Sequence, residues 1–390
     1  MPVLIAGGGI GGLALALALA RRGLASSVLE RNETFSEAGA GIQIGPNGMR
    51  VLTALGVADA LEPAAGKPVA IRVLDAGRGR LLSSLPLGDW IEQRHGAPYR
   101  VAHRADLQAA LLSRVRAEPA IEVVTGFDVA DVAEHADAIE ARSAGGSRRR
   151  GRLLVGADGI WSRLREVVAP AAALTFSGRT ATRAVVPVDA VPEGIDCTAV
   201  CAWLAPGAHI VHYPIRAGRE VAIVVVVEER FERHEWNTPA APPQDKATIR
   251  RLDPTLVGLL EASRDWRKWG LFECAELPTW SAGRLALLGD AAHPVLPFLA
   301  QGGVLALEDA IELADAIARE ASGSAALVRY ERTRRPRAAR VQAASRRNGR
   351  IYHLAGPMAL ARDATLQWLP GERVMAGYDW LYGWRPPDTA

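Results

Sequence analysis

Cysteine is scarce in this chain. Its three cysteines, Cys197, Cys201 and Cys274, are an odd number, which excludes a fully paired disulfide framework and agrees with a reducing compartment. Cys197-x-x-x-Cys201 has no second ligand pair at zinc spacing, so it reads as strand packing and no metal site is expected. The apolar run Leu13 to Ala20 is too short to span a bilayer. Met1-Pro2 leads straight into an apolar strand rather than a secretory leader, so a cytoplasmic protein with no membrane partner is expected. An excess of one charge is lacking too. The net charge of +3 provides no overall field for nucleic acid, and none is expected as a partner. Internal repeats are absent.

What is present is aliphatic. Hydrophobic residues make up 49% and charged residues 23% of 390 residues, which supports a large core and argues against disorder. The length exceeds one ordinary domain, so two intimately joined domains are expected. Two stretches are rich in arginine. Arg148-Arg149-Arg150 follows Ala144-Gly145-Gly146 and reads as a hairpin or loop tip. Arg329 to Arg350, with Glu331 interleaved, reads as a solvated helix covering the N-terminal domain rather than a polyanion-binding face.

The N-terminal segment carries the most specific local pattern. Val3-Leu4-Ile5-Ala6 suits a buried parallel strand. Gly7-Gly8-Gly9-Ile10-Gly11-Gly12 follows, then a strong helix former from Leu13 to Ala20, a stop at Gly23, and a second strand at Ser27-Val28-Leu29. This strand–turn–helix–strand context turns G-x-G-x-x-G into a dinucleotide site. Gly7 permits the turn, Gly9 lets a pyrophosphate approach the backbone, and Gly12 lets helix and strand pack. The helix N-terminus offers unpaired N–H groups to phosphate. Glu30 closes the second strand, where a carboxylate accepts from ribose hydroxyls, and Arg31 lies beside it.

Four further segments complete a set. Gly156-Ala157-Asp158-Gly159 is followed by Ser162 and Arg165. Alone, Asp-Gly is a turn. Leu285-Ala286-Leu287-Leu288-Gly289-Asp290 is a buried strand with a carboxylate at its end. A loop from Pro294 through Pro297 to Gln301-Gly302-Gly303 leads into a helix. Its prolines resist helix and its glycines allow close backbone approach. Arg104 opens a helix, a place where the dipole disfavours a cation unless an anion is bound.

In chain order the glycine turn, the Asp158 segment and the Asp290 segment resemble the single-component FAD-dependent aromatic hydroxylases, the family of p-hydroxybenzoate and salicylate hydroxylases. The resemblance implies an α/β fold: a Rossmann-like FAD-binding domain, an inserted antiparallel-sheet substrate domain and a C-terminal helical segment. The expected parts are 1–67, 102–172 and 283–345 for FAD, 68–101 and 173–282 for the substrate sheet, and 346–390 for the helical end. It implies that Arg104 reaches the pyrophosphate and Asp158 serves both FAD and the pyridine nucleotide. Asp290 would bind the ribityl or ribose part, with Pro297, Gly302 and Gly303 near the ring. The family often has Ala-Asn where this chain has Gly303-Val304, so that asparagine's contact is missing.

Strands are expected at 185–188, 199–204, 209–215 and 221–227, with turns at Pro206-Gly207 and Ala217-Gly218. His209 and Tyr213 then share one strand face and His212 lies on the other. His-x-x-x-Tyr-Pro resembles the branch that includes 3-hydroxybenzoate 6-hydroxylase and 6-hydroxynicotinate 3-monooxygenase. That resemblance implies that His209 and Tyr213 act at a phenol, with Gln301 nearby, while His293 is structural. It also implies NADH or NADPH as reductant, dioxygen as oxidant, a flavin hydroperoxide, and a small phenolic acid or hydroxylated N-heteroaromatic as substrate. A homodimer is compatible with it. The alternatives are a same-fold monooxygenase for a larger natural product and a non-catalytic dinucleotide-binding protein. The W-x-W-x-I-P signature of flavin halogenases is absent.

Overall fold

Leu and Ala alternate through the first helix, Ile10–Ala20, and this period of two would suit a strand. Helix propensity and length decide otherwise. Because leucine falls on every side, the helix is buried on nearly all of its surface and sits inside the domain. The computed structural model describes residues 1–35, 41–231, 237–241 and 251–387. The helix packs over a six-stranded sheet whose order is Ser281–Ala282, Leu285–Leu287, Leu153–Gly156, Val3–Ala6, Ser26–Leu29 and Ile121–Val124. All neighbouring pairs are parallel except the first. Among the described residues no helix is long and apolar enough to cross a membrane.

A second sheet has eight strands, in the order Thr238–Ala240, Trp266–Cys274, Leu174–Pro187, Glu220–Glu228, Ala208–Ile215, Val200–Ala205, Ala70–Asp75 and Leu81–Pro86. Tight turns at Pro206-Gly207 and Ala217-Gly218 join its central hairpins. One pair departs from the antiparallel expectation: Val200–Ala205 runs parallel to Ala70–Asp75. These strands come from distant chain segments, so no hairpin dictates their direction.

Two other expectations change. Arg148–Gly151 is a strand paired to Ile139–Ser143, so the arginine triplet is an arm of a hairpin, not its tip. The arginine-rich segment is one helix, Gly323–Tyr352, and the boundary drawn at 345/346 falls inside it. Its inner face is not solvated. Arg334 is fully buried, its Nη2 2.8 Å from Glu308 and its Nε donating to Asp309 Oδ1 at 2.6 Å. Arg337 clamps Glu308 through Nε and Nη2 at 2.6 and 2.7 Å. The C-terminal aromatics cap this helix: Trp384 lies 5.6 Å from Arg334 and from Arg337, and Trp380 lies 4.0 Å from Arg340.

Glu308 and Asp309 belong to the helix Gly302–Arg319, so this network fixes one long helix against the other. Burial pushes the Asp309 carboxyl up, but His293 and Arg334 outweigh it and hold the group at about 2, below its ordinary 3.8. A depressed carboxyl stabilises the fold above its unfolded pKa, and that stability is lost as pH falls through the folded value. The Asp309 contribution should therefore be complete near pH 5 and disappear toward pH 2. Arg334→Met, which leaves two buried carboxylates undercompensated, should lower stability by about 3–5 kcal/mol. The midpoint of urea unfolding reads this, and an unchanged midpoint would mean the network does not join the helices.

Candidate active site

The carboxyl ends of the parallel strands open into a cleft of about 620 Å³. Gly7 has φ +112°, and a Cβ there would collide with the Ala157 carbonyl, so the glycine turn lies directly against the Asp158 turn. A Cβ at Gly12 would collide with the Gly7 carbonyl, whereas at Gly9 the same position has no neighbour within 4 Å among the described residues. Gly7, Gly9, Glu30 and Arg31 line the cleft, and Gly12 packs behind it. The Glu30 carboxylate also braces the turn: the Gly8 N–H donates to Oε2 at 2.8 Å, and Asn32 donates to Oε1 from its backbone and side chain.

Asp158 lines the same cleft. Its Oδ2 accepts from the Arg163 N–H at 3.1 Å, while Oδ1 is buried without a partner among the described residues. Burial raises this carboxyl. Arg165 ties the Asp158 segment to the late motif, donating to the carbonyls of Ala291 at 2.7 Å, Asp290 at 2.5 Å and Ile160 at 2.8 Å. Ser162 Oγ accepts from the Arg165 N–H at 2.9 Å. Asp290 is open to the cleft but enclosed by protein on its other sides, which pushes its carboxyl up.

A second cavity, about 320 Å³, lies against one face of the eight-stranded sheet. Arg104, Asp290, Gly302 and Gly303 line both spaces, so the two meet at the N-terminus of the helix Gly302–Arg319. His209, Val211 and Tyr213 point into the second cavity together. A Cβ at Gly41 would fall 2.5 Å from the Tyr213 hydroxyl, so glycine there makes room for the phenol ring. His212 faces the other way. Its Nδ1 accepts from Trp203 Nε1 at 3.1 Å, its Nε2 lies 3.1 Å from the Asp196 carbonyl, and burial lowers its pKa to about 4. Pro297 lines the cavity.

Two other sequence-chosen residues lie elsewhere. Gln301 does not line the cavity; its Oε1 accepts from Asn47 Nδ2 at 3.0 Å, and the same amide donates to Glu308 at 2.7 Å. The buried Glu308 carboxylate orients Asn47, and Asn47 holds Gln301. His293 Nε2 lies 2.6 Å from Asp309 Oδ2, a structural bond.

Sequence reasoning missed Arg183 and His353. Arg183 lines the cavity with its guanidinium 5.1 Å from the Trp269 ring centre, and its Nε is buried without a partner among the described residues. A charge between Ala181 and Val185 on one strand face was a readable signal. His353 lies 2.9 Å from His209, Nε2 to Nδ1. No local pattern marks it, because it ends a helix far along the chain.

The cleft fits FAD on three grounds among the described residues: open space over Gly9, an unpartnered acceptor on Asp158, and a helix N-terminus at Gly302 and Gly303 where the two spaces meet. Among the described residues no cluster of three His, Cys, Asp or Glu could hold a metal ion.

Comparison with known proteins gives the same reading. Residues 1–345 match the model of the FAD binding domain family. A 3-hydroxybenzoate 6-hydroxylase of Polaromonas naphthalenivorans (strain CJ2) is 36% identical over 387 residues, 98% of this chain and 96% of that protein. A 6-hydroxynicotinate 3-monooxygenase of Bordetella bronchiseptica is 33% identical over 352 residues, 89% of this chain and 91% of that one. The crystal structure of Klebsiella pneumoniae HpxO complexed with FAD and uric acid superposes with a TM-score of 0.85 at 25% identity, covering 97% of this chain and 95% of that one. With a glycine turn, two carboxylates and a helix end around one cleft, the chain belongs to the FAD binding domain family and is a flavin-dependent aromatic-ring monooxygenase that uses FAD and NAD(P)H.

Proposed function

We propose that this enzyme hydroxylates a small phenolic acid, or a hydroxylated N-heteroaromatic acid, in the cavity under the eight-stranded sheet. One observation carries the reading: a cavity that shares Arg104, Asp290, Gly302 and Gly303 with the flavin cleft holds His209, Tyr213 and Arg183 against apolar walls. FAD, when bound, supplies the oxygen transfer, drawing on NAD(P)H and dioxygen. Gly7, Gly9, Gly12, Glu30, Arg31, Arg104, Asp158 and Asp290 are the residues we assign to holding it, with Pro297, Gly302 and Gly303 beside the ring.

The protein's own chemistry is to seat the ring and to handle one proton. Burial, reinforced by His353 and Arg179, keeps His209 well below its ordinary 6.5, so its imidazole is neutral at physiological pH and able to accept. His353 occupies Nδ1, which leaves Nε2 for a substrate hydroxyl. Taking that proton raises electron density on the ring that is to be hydroxylated. Tyr213 lies four residues further along the same strand, about 13 Å away between Cα atoms, with its phenol pushed up to about 12 by burial, so it acts as a hydrogen-bond donor. Arg183 is suited to a carboxylate. It stacks on Trp269, and its buried Nε has no hydrogen-bond partner among the described residues. Arg183 pairs across the sheet with Val224, and Val224 with Val211, so it lies two strands from His209's strand, roughly 10 Å. A benzoate-sized ring bridges that gap once the long arginine side chain reaches inward.

Val211, Val224, Val226 and Leu271 line the walls and exclude water from the reacting centre. The volume of about 320 Å³ is at the small end for ligand sites, which favours a single ring over a larger natural product. A cytoplasmic location belongs to the same proposal, in keeping with three free thiols.

The direct test is a panel of phenolic acids and hydroxylated N-heteroaromatic acids, scored for stimulated NAD(P)H oxidation with product analysis; no stimulation by any member of either class would overturn the reading. Asp290→Ala should lose FAD more readily, by about 10–150-fold in Kd if one charge-assisted hydrogen bond is removed. Retention equal to the parent, measured by ultrafiltration and flavin absorbance, would remove Asp290 from the assignment. Arg183→Met should raise KM for carboxylated phenols by at least about 10-fold while changing KM little for phenols without a carboxylate. An equal effect on both classes would mean that Arg183 only shapes the cavity. His209→Ala should keep FAD and accept hydride, yet form product about 10²–10⁴-fold more slowly. The NAD(P)H consumed should then appear as hydrogen peroxide. His212→Ala, on the other face, should stay coupled. Equal product per NAD(P)H in the two variants would mean the wrong histidine has been chosen.

A further inference from the structure

His209 is not an isolated base. Its Nδ1 lies 2.9 Å from Nε2 of His353. On the far side of that second ring, Nδ1 lies 3.3 Å from Oε1 of Glu228. Both histidines are buried, whereas the Glu228 side chain is 50% exposed. A continuous hydrogen-bonded line therefore runs from the wall of the substrate cavity through two imidazoles to a carboxylate in contact with water.

We propose that His353 and Glu228 form a proton exit for His209. The inference rests on His209 being the group that receives the substrate proton. In the accepting state, His209 carries its hydrogen on Nδ1 and donates to His353 Nε2, while His353 carries its hydrogen on Nδ1 and donates to Glu228. The substrate O–H bond breaks and its proton passes to His209 Nε2. The Nδ1 proton of His209 passes to His353 Nε2, and the Nδ1 proton of His353 passes to Glu228 Oε1. Glu228 then releases a proton to solvent. One proton leaves, no electron moves, and both imidazoles end neutral with their hydrogens on Nε2.

The contacts around His353 suit both end states. Before transfer its Nδ1 needs an acceptor, and Glu228 supplies one. After transfer the same Nδ1 is a bare lone pair and needs a donor, and Arg179 Nε lies 3.2 Å away. Arg179 Nη2 also donates to Glu228 Oε1 at 3.0 Å, so one guanidinium holds the acceptor in place and waits for the product tautomer. One nitrogen with both a donor and an acceptor in reach has no evident purpose in a static hydrogen bond. It is what a tautomer switch requires.

The relay also answers an energetic difficulty. The burial that keeps His209 neutral makes an imidazolium costly at that position, so a proton that stopped there would tend to return to the ring. Passing it on avoids a buried charge. Any transient charge on His353 sits at the C-terminus of the helix Gly323–Tyr352, for which His353 is the cap, and a helix C-terminus favours a cation. The charged groups facing His353 are Glu228 and Arg179 from the sheet and Arg362 from the helix Gly356–Trp368. Arg362 is engaged by Asp363 and the carbonyls of Ile351 and Tyr352. His353 is thus a positioning and relay group that does not touch substrate.

The test uses the FAD-loaded enzyme and 3-hydroxybenzoate as probe, read in rapid mixing by the near-ultraviolet change of phenol to phenolate and by a pH indicator for proton release. The parent should ionise the bound probe and release one proton per site. His353→Gln, which can hold a hydrogen bond but cannot pass a proton, should bind the probe with a Kd within about twofold of the parent and accept hydride normally. Ionisation and proton release should both slow by at least about 10-fold. Glu228→Gln, at a half-exposed position that threatens the fold less, should slow proton release similarly, and Glu228→Asp should restore part of the rate. If both glutamine variants ionise the probe at the parental rate, the relay is wrong. If His353→Gln instead loses FAD or probe binding while Glu228→Gln behaves as the parent, His353 is structural and the relay is again wrong. If the parent itself binds the probe un-ionised, the assignment of His209 as proton acceptor fails, and the relay fails with it.

Discussion

Asp309 is the point on which the rest of the structure depends. It is fully buried, and its two oxygens serve three groups: Arg334 on one, His293 and the Gly289 N–H on the other. A carboxylate so placed is tolerable only when its charge is balanced and its lone pairs are used. Each partner belongs to a different part of the molecule. Arg334 brings in the long arginine helix, Gly289 opens the turn that follows the parallel strand and holds Asp290, and His293 starts the loop that leads to Gly302. With these joined, the start of the helix Gly302–Arg319 is held beside Asp290, and the shared wall of the two cavities follows.

The adjacent Glu308 extends the same constraint. It takes Arg337 and Arg334 on one side and Asn47 on the other, and Asn47 in turn holds Gln301. A buried ionic network of this kind contributes little net stability compared with apolar packing. Its use here is geometric, because it admits only one arrangement of the strand end, the loop and the two helices. The loop needs that help, since Ala300 adopts a left-handed φ of 52° that a non-glycine residue does not favour.

The two sheets divide the work. The parallel one gathers backbone N–H groups and carboxylates at its strand ends, an arrangement that fits a dinucleotide. The other offers a broad face on which alternate side chains project at fixed spacing, suited to seating a flat ring. On that face the polar groups are few, and each is placed in an apolar setting that sets its protonation. His209 is kept neutral, the Tyr213 phenol is kept protonated, and Arg183 is left with an aromatic face for company.

Much of this was legible because it is local. The glycine turn, the Leu–Ala helix and the four central strands follow from propensity and period within short windows. The opposition of His209 and His212 is also local, since strand parity needs no partner. The sequence by itself therefore determined the dinucleotide unit, the family and which histidine faces the second cavity. What the tertiary structure decided is pairing across the chain. The parallel joint between Val200–Ala205 and Ala70–Asp75, the turn of Gln301 toward Asn47, and the inward arginines opposite Glu308 and Asp309 all join segments far apart. So does His353, which stands 144 residues from His209. No periodic pattern encodes such a contact; it exists because a helix end and a sheet face are brought together by a core that forms elsewhere.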